Sequence, residues 1–167
     1  MLAAQIIGML AVAMYVLSYQ QKKRKNIVLL NASSCVLYVL QYIMLGAFEG
    51  ATLDILSALS AFTANNKNKK IISKYSRIVV VVLDLVMLIS GLVLYKNIFS
   101  LCPIAGAILQ TNALWISNEK WIRLISFLGA PFWLVYNIVS CAYGSAIGSI
   151  LSIISIGVAI LRYDILP

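Results

Sequence analysis

The chain has 167 residues, of which 62% are hydrophobic and only 11% are charged. A water-soluble domain keeps about a quarter of its residues charged, so this composition excludes the ordinary soluble class and predicts an integral membrane protein. The net charge of +8 comes without a base-stacking or helix-turn-helix pattern, so we expect no nucleic-acid partner. Histidine is absent and the three cysteines show no CxxC spacing, so we expect neither a metal nor another cofactor.

Seven apolar stretches are long enough for a helix that crosses the hydrocarbon core, which needs about 20 residues. In chain order they are 2–19, 27–46, 47–64, 78–95, 98–116, 121–141 and 143–162. The third is the weakest, because it borders Glu49 and contains Asp54. Tight turns join the second stretch to the third through LGAFEG and the sixth to the seventh through CAYG, where glycine supplies the backbone freedom. The sequence therefore predicts an all-α membrane protein with seven transmembrane helices.

The distribution of cations predicts the orientation. With seven spans, twelve of the thirteen Lys and Arg residues fall on one face and Lys96 falls on the other. The twelve are Lys22, Lys23, Arg24, Lys25, Lys67, Lys69, Lys70, Lys74, Arg77, Lys120, Arg123 and Arg162. Because cytoplasmic loops carry an excess of cations, we expect the N-terminus outside the bilayer and the C-terminus in the cytoplasm.

An internal repeat is indicated at an offset of 95 residues. It aligns 31–60 with 126–155 and gives identities that include Ala47/Ala142, Ser57/Ser152 and Ser60/Ser155. Spans one to three and five to seven follow the same order of span, basic loop, span, tight turn and span. An odd number of spans inverts the second copy, and the fourth span restores its direction. We therefore expect a 3+1+3 plan with a first triple-helix bundle (1–64), a basic loop and linker helix (65–97) and a second bundle (98–167).

The first span contains Gly8 and ends in SYQQ, and the basic KKRK loop and the LGAFEG turn follow. This order resembles YgjV-type bacterial inner membrane proteins over about the first 65 residues. SYQQ also resembles a degenerate Pro-Gln motif, and the 3+1+3 plan resembles that of the SWEET, PQ-loop and PnuC-like transporter superfamily. These resemblances imply a bacterial inner membrane location and transport of a small polar solute by alternating access, with Gln20 at the cytoplasmic gate. The chain departs from the sugar transporters in having span prolines, Pro103 and Pro131, only in its second half.

Polar residues within the spans are the candidates for contact with a solute, because polar groups in lipid face the protein interior or a wet cavity. They are Tyr38, Gln41 and Tyr42 in span two, Asp54 and Ser57 in span three, Gln110 in span five, Trp133, Tyr136 and Asn137 in span six, and Ser149 and Ser152 in span seven. Tyr38 and Trp133 would stack on a flat solute, Gln41 and Asn137 would exchange hydrogen bonds with it, and Asp54 would bind a polar group or a proton.

The same residues also fit a non-transporting scaffold, or an assembly or lipid-handling protein. Aromatic residues form belts at membrane interfaces, amides join helices, and serine with glycine permits close packing. Gln110 can satisfy backbone groups freed by Pro103 or reach a cavity. Asp84 can pair with Arg77 or with another helix. Both a monomer and a homo-oligomer stay open.

An enzyme is disfavoured. Intramembrane hydrolases need a metal or a paired nucleophile and base, and this chain has no histidine. Its two carboxylates within spans, Asp54 and Asp84, lie on different helices and show no catalytic signature.

Overall fold

The computed structural model describes residues 2–66 and 70–165, and within these ranges the chain forms seven long α-helices and no strand. The helices are α1 (Leu2–Tyr19), α2 (Arg24–Leu45), α3 (Phe48–Asn65), α4 (Lys70–Val93), α5 (Leu101–Trp115), α6 (Glu119–Val139) and α7 (Tyr143–Ile160). A 3₁₀ turn (Ile98–Ser100) precedes α5, and a π-helical turn (Leu161–Ile165) continues α7. The expected all-helical architecture is confirmed. Lys67 and Lys69 of the expected basic loop lie outside the described residues.

Within these ranges, six helices are long and apolar enough to cross a membrane, and α3 is the exception. Helix α3 is as long as α1 but carries both Glu49 and Asp54, which lower its apolarity. The outer surface suits lipid contact. On α4, for example, the side chains of Ile78, Val81 and Ile89 are more than half exposed.

The bundle has two chemically different ends. At one end lie the α2–α3 and α6–α7 connections and the start of α1; there the Gly144 N–H donates to Gln5 Oε1 at 2.8 Å. We call this the turn end. At the other end the side chains of Arg24 and Arg123 meet the final residues of neighbouring helices. We call this the basic end.

The two helix-joining turns share one backbone geometry. Gly46 has φ 70° and Cys141 has φ 55°, both in the left-handed region. One residue later, the Ala47 N–H donates to the Tyr42 carbonyl and the Ala142 N–H donates to the Asn137 carbonyl, each at 2.9 Å. Every matching position in the two turns differs by 95 residues.

The expectation that glycine opens the second turn is wrong, because Cys141 takes the left-handed conformation. Gly144 lies in the first turn of α7 instead, where its role is steric. A Cβ there would stand 3.0 Å from the Gln5 carbonyl oxygen of α1.

Helix packing crosses between the two halves of the chain. Helix α1 packs against α2 and α7, while α5 packs against α6 and α3. The first helix of each half therefore contacts the third helix of the other half. At the α1–α7 contact, a side chain in place of Gly148 would collide with Val12.

Helix α4 packs on α3 and α5. The sequence left Asp84 to pair either with Arg77 or with a residue of another helix. In the structure both carboxylate oxygens of Asp84 accept from Asn112 Nδ2 of α5 at 2.9 Å.

The two prolines within the expected spans lie at different positions in their helices. Pro131 is inside α6, but Pro103 is in the first turn of α5, where a missing N–H costs no helical hydrogen bond.

Candidate functional site

A cavity of about 30 Å³ lies between six of the seven helices, with α4 contributing no side chain among the described residues. It is lined by Tyr15, Cys35, Tyr38, Tyr42, Asp54, Gln110, Ala130, Trp133, Asn137, Ser149 and Ser152. This volume holds one or two water molecules. The cavity is therefore smaller than an organic solute.

The lining residues are related by the same offset as the turns. Ten of the eleven form pairs that are 95 residues apart, namely Tyr15/Gln110, Cys35/Ala130, Tyr38/Trp133, Tyr42/Asn137 and Asp54/Ser149. The eleventh, Ser152, corresponds to Ser57, which is buried nearby and accepts a hydrogen bond from Thr111 Oγ1 at 3.3 Å. Corresponding positions of the two halves thus face one shared space.

Eight of the eleven residues expected from the sequence to contact a solute line this cavity. Gln110 is one of them, so of its two expected roles it takes the one in which it reaches a cavity. Gln41, Ser57 and Tyr136 are buried beside it without lining it, and Gln20 lies at the basic end. Sequence reasoning missed Tyr15, Cys35 and Ala130. The offset could have found Tyr15, because it is the counterpart of Gln110.

Three residues of the lining carry a buried polar atom with no hydrogen-bond partner among the described residues. These atoms are Asp54 Oδ2, Trp133 Nε1 and Ser152 Oγ. Buried polar groups nearly always have a partner, so three such atoms around one cavity need an explanation. The indole N–H edge of Trp133 also lies close to α5, since a Cβ at Gly106 would stand 2.9 Å from Nε1.

A hydrogen-bonded chain borders the cavity on the side of the turn end. The Tyr42 hydroxyl donates to Asn137 Oδ1 at 2.5 Å, and Asn137 Nδ2 donates to Ser149 Oγ at 3.0 Å. Ser149 Oγ then donates to the Ser145 carbonyl at 2.9 Å. Tyr42 and Asn137 are 95 residues apart, so two corresponding positions bond to each other.

Two further contacts at the turn end are reciprocal. The Ser145 hydroxyl donates to Gln41 Oε1, and the Gly50 N–H donates to the Tyr136 hydroxyl at 2.9 Å. Gln41 corresponds to Tyr136 and Gly50 to Ser145 at the offset of 95. The approach at Gly50 requires glycine, because a Cβ there would stand 2.7 Å from Tyr136 Cε1.

Four aromatic rings form a continuous group between the cavity and the turn end. Tyr42 stacks on Tyr38 with ring centroids 6.1 Å apart and on Trp133 at 6.2 Å. Tyr136 meets the edges of Tyr42 and Trp133 at 5.8 and 6.1 Å. Tyr42 and Trp133 are buried, so these rings lie in the interior rather than in a belt facing lipid.

The basic end repeats the reciprocal pattern. Gln20 Nε2 donates to Ser155 Oγ at 2.8 Å, and Trp115 Nε1 donates to Ser60 Oγ at 2.8 Å. Gln20 corresponds to Trp115 and Ser60 to Ser155 at the offset of 95. The residue expected as a gate therefore contacts the other half of the chain, and its counterpart Trp115 was not expected from sequence.

Arg24 joins three helices at this end. Its Nη2 donates to the Ala64 carbonyl in α3 at 3.1 Å and to the Leu114 carbonyl in α5 at 2.5 Å. Its Nε donates to the Ile116 carbonyl at 2.8 Å. A cation is favourable at helix C-termini, where carbonyl groups lack partners and the helix dipole is negative.

Arg123 makes the corresponding connection in the second half. Its Nη1 pairs with Asp164 Oδ1 just beyond α7 at 2.7 Å, and both side chains are at least 95% buried. Its Nη2 donates to the Gln21 carbonyl just beyond α1 at 3.4 Å. Each arginine thus lies on the second helix of its own half. It contacts the end of the third helix of that half and the end of the first helix of the other half.

Comparison with known proteins agrees with this picture of a membrane bundle. The family model Imp-YgjV, described as a bacterial inner membrane protein, matches residues 2–165. No curated protein and no solved structure matches the chain. The match confirms the YgjV resemblance of the first 65 residues and covers nearly the whole sequence. The chain therefore belongs to the Imp-YgjV family of bacterial inner membrane proteins.

Proposed function

We propose that the protein transports a small polar solute by alternating access between two triple-helix bundles, α1–α3 and α5–α7, which α4 links in a 3+1+3 plan. The cavity carries this proposal, because its lining is made of corresponding residues of the two halves. Transporters built from repeats bind their solute at the repeat interface, near the midplane of the bilayer. The bundle boundaries 1–64, 65–97 and 98–167 and the kinship with SWEET-like transporters belong to the same proposal.

The reciprocal contacts support two parallel repeats. A two-fold axis makes residue i of one unit meet residue j of the other, and j meet i. Gln41–Ser145 with Tyr136–Gly50 at the turn end follow this rule. A residue on the axis meets its own counterpart, as Tyr42 meets Asn137. The axis then runs along the membrane normal through the cavity.

In this proposal the basic end faces the cytoplasm, because cations concentrate on that side of inner membrane proteins. The N-terminus is then outside and the C-terminus inside, and α3 is the seventh span. The turn end is the outer gate. The contacts of Gln20, Trp115, Arg24 and Arg123 form the inner gate.

The structure corresponds to an occluded state in this mechanism, since both ends are bonded across the two halves. A cavity of about 30 Å³ admits no organic solute, so one end must separate before a solute enters. Rocking of the bundles about the axis would break the bonds at one end and keep those at the other. Water then reaches Asp54 and Ser149 from alternate sides.

Cysteine labelling tests this proposal. In a background with Cys35→Ala, Cys102→Ala and Cys141→Ala, we expect Asp54→Cys and Ser149→Cys to react with a water-soluble maleimide in native membranes. Ile55→Cys is the matched control, because Ile55 follows Asp54 on α3 but is 51% exposed on the lipid-facing surface. A scaffold with a permanently packed interior gives no reaction at 54 or 149, and that result would contradict the transport proposal.

A further inference from the structure

We infer that the solute is a small organic monocation with N–H donors, such as an ammonium or amidinium ion, held at Asp54 among the aromatic rings of the cavity. This inference rests on the proposed transport function and names the class of solute for the same site. The charge of the lining, its aromatic faces and the lack of a metal-ligand set lead to it.

The charge of the lining comes from one residue. Among the described residues that line the cavity, Asp54 is the only Asp or Glu, and none is Lys or Arg. Asp54 is 5% exposed, and its Oδ2 has no hydrogen-bond partner within the described ranges. An isolated ionised carboxylate is very costly to bury, whereas a cation beside it removes most of that cost. An anionic solute would be repelled by the ionised carboxylate, and a neutral solute would require Asp54 to take up a proton, whereas an organic cation binds the ionised form directly.

Aromatic faces make the site suitable for an organic cation. Tyr15, Tyr38, Tyr42 and Trp133 all line the cavity. The face of an aromatic ring attracts a desolvated ammonium or amidinium ion, and tryptophan does so best. The pair Tyr38 and Trp133 comes from corresponding positions of α2 and α6, so each bundle supplies a ring.

A metal ion fits the lining less well. Calcium and magnesium require about six oxygen ligands, and transition metals prefer clustered Cys, His or carboxylate groups. In the part of the chain that the structure describes, no group of three His, Cys, Asp or Glu residues could hold a metal. Asp54 and the hydroxyl of Ser152, which also lacks a partner there, can instead accept two N–H groups of one organic cation.

The test uses three probes of equal size and different charge, namely acetamidinium, acetamide and acetate. Each has four non-hydrogen atoms, which suits a small site and limits the best attainable Kd to about 40 µM. Binding of radiolabelled probe to the purified full-length protein in lipid nanodiscs gives the three affinities, and uptake into proteoliposomes gives the three rates. We expect acetamidinium to bind about tenfold or more tightly than acetamide, and acetate not to bind, because a hydrogen bond to a charged group is worth more than a neutral one.

Matched variants locate the effect. Asp54→Asn keeps the shape of the side chain and removes its charge, so the preference for acetamidinium over acetamide should disappear. Asp84→Asn is the control, because Asp84 pairs with Asn112 between α4 and α5 and does not line the cavity; its preference should equal that of the parent. Size-exclusion elution of both variants verifies folding, and the comparison of the three probes on the parent protein does not depend on either variant.

Equal or better binding of acetamide or acetate overturns the inference, and so does failure of all three probes to bind at millimolar concentration. An Asp54→Asn protein that still prefers acetamidinium overturns it too. The transport proposal is decided separately by the cysteine labelling at 54 and 149, so failure of the solute class and failure of transport are distinguishable.

Discussion

At the turn end helices α1–α3 and α5–α7 meet through neutral groups, such as the tyrosine hydroxyl and amide of Tyr42 and Asn137. An ion pair there joins Glu49 of α3 to the largely exposed Lys96 of the connection between α4 and α5, at 3.3 Å. At the basic end the two groups of helices meet through two guanidinium groups, those of Arg24 and Arg123, in addition to the neutral pairs of Gln20 and Trp115. The neutral pairs at both ends obey the same offset of 95, whereas Arg24 and Arg123 are 99 residues apart, so the two ends differ in chemistry.

The difference indicates which end separates first. A neutral hydrogen bond contributes about 1 kcal/mol net and one to a charged group about 1.5 to 3. The bonds of Arg24 to the Leu114 and Ile116 carbonyls and of Arg123 to the Gln21 carbonyl cross between the halves, so separating the basic end breaks three charge-assisted bonds together. We therefore expect the turn end to open more readily, so that under the transport proposal a solute would enter from that side.

The largest expected effect is at Arg123. Arg123→Ala leaves the carboxylate of Asp164 buried without its partner, because the two side chains are 3% and 5% exposed. Loss of one member of a buried ion pair destabilises a protein by about 3 to 5 kcal/mol. Thermal denaturation in nanodiscs should show a marked loss of stability, while Arg162→Ala, at an exposed arginine on the same end, should change little. If the two variants lose the same amount of thermal stability, the buried ion pair does not stabilise the protein.

Arg24→Gln should have the next largest effect, a loss of about 2 kcal/mol, because three carbonyls lose a charged donor. It should also open the basic end. A cysteine at Ser60, which is fully buried there, should react with aqueous maleimide about tenfold faster, the factor that 1.4 kcal/mol gives. Cysteine at Ser145 in the turn end is the matched control, and an equal rise at both positions would indicate general unfolding instead.

Gly50→Ala tests the turn end. Its Cβ would stand 2.7 Å from Tyr136 Cε1 and 3.1 Å from Tyr42 Cδ2, so α3 and α6 must move apart. Such overpacking costs about 1 to 3 kcal/mol, and the turn end should open. Gly157→Ala is the control, since its Cβ would meet Phe127 at an ordinary 3.9 Å. If Gly50→Ala is as stable as Gly157→Ala, α3 and α6 do not approach each other as closely at Gly50 as described.

Tyr42→Phe should give the smallest effect, a loss of about 1 kcal/mol, because it removes one neutral hydrogen bond and keeps the stacked ring. Tyr143→Phe removes an exposed hydroxyl and should leave stability unchanged. Chemical denaturation of the two proteins measures the difference. A larger loss of stability from Tyr42→Phe than from Arg24→Gln would contradict the prediction that the turn end separates more readily than the basic end.

Much of the fold could be predicted from apolar runs and cation positions. The expected span 2–19 coincides with α1, and 98–116 covers the 3₁₀ turn together with α5. The facing polar sides of α2 and α6 were also readable, because polar residues that recur at helical spacing within an apolar run share one face. These predictions rest on local pattern, which does not require knowledge of the neighbouring helix.

Contacts between helices that are distant in sequence could not be predicted from local pattern. Arg24 and Arg123 were counted as loop cations, yet α2 begins at Arg24 and α6 at Glu119, so both arginines are on helices and meet helix ends that are distant in sequence. Tyr15 lies in a mostly apolar run, and only the offset of 95 residues from Gln110 distinguishes it. Pro103 was expected inside a span, but it is in the first turn of α5 because that helix begins only at Leu101.

The short connection between α2 and α3 has a consequence for biogenesis. In the seven-span topology, α3 is a weak insertion signal on its own, because a carboxylate such as Asp54 near the middle of a helix costs about 3 kcal/mol at the translocon. Only Gly46 and Ala47 separate it from α2, so in that topology we expect the two helices to enter the bilayer together as a hairpin. Asp54 would then lack most of its protein surroundings until α6 and α7, which line the same cavity, have been synthesised.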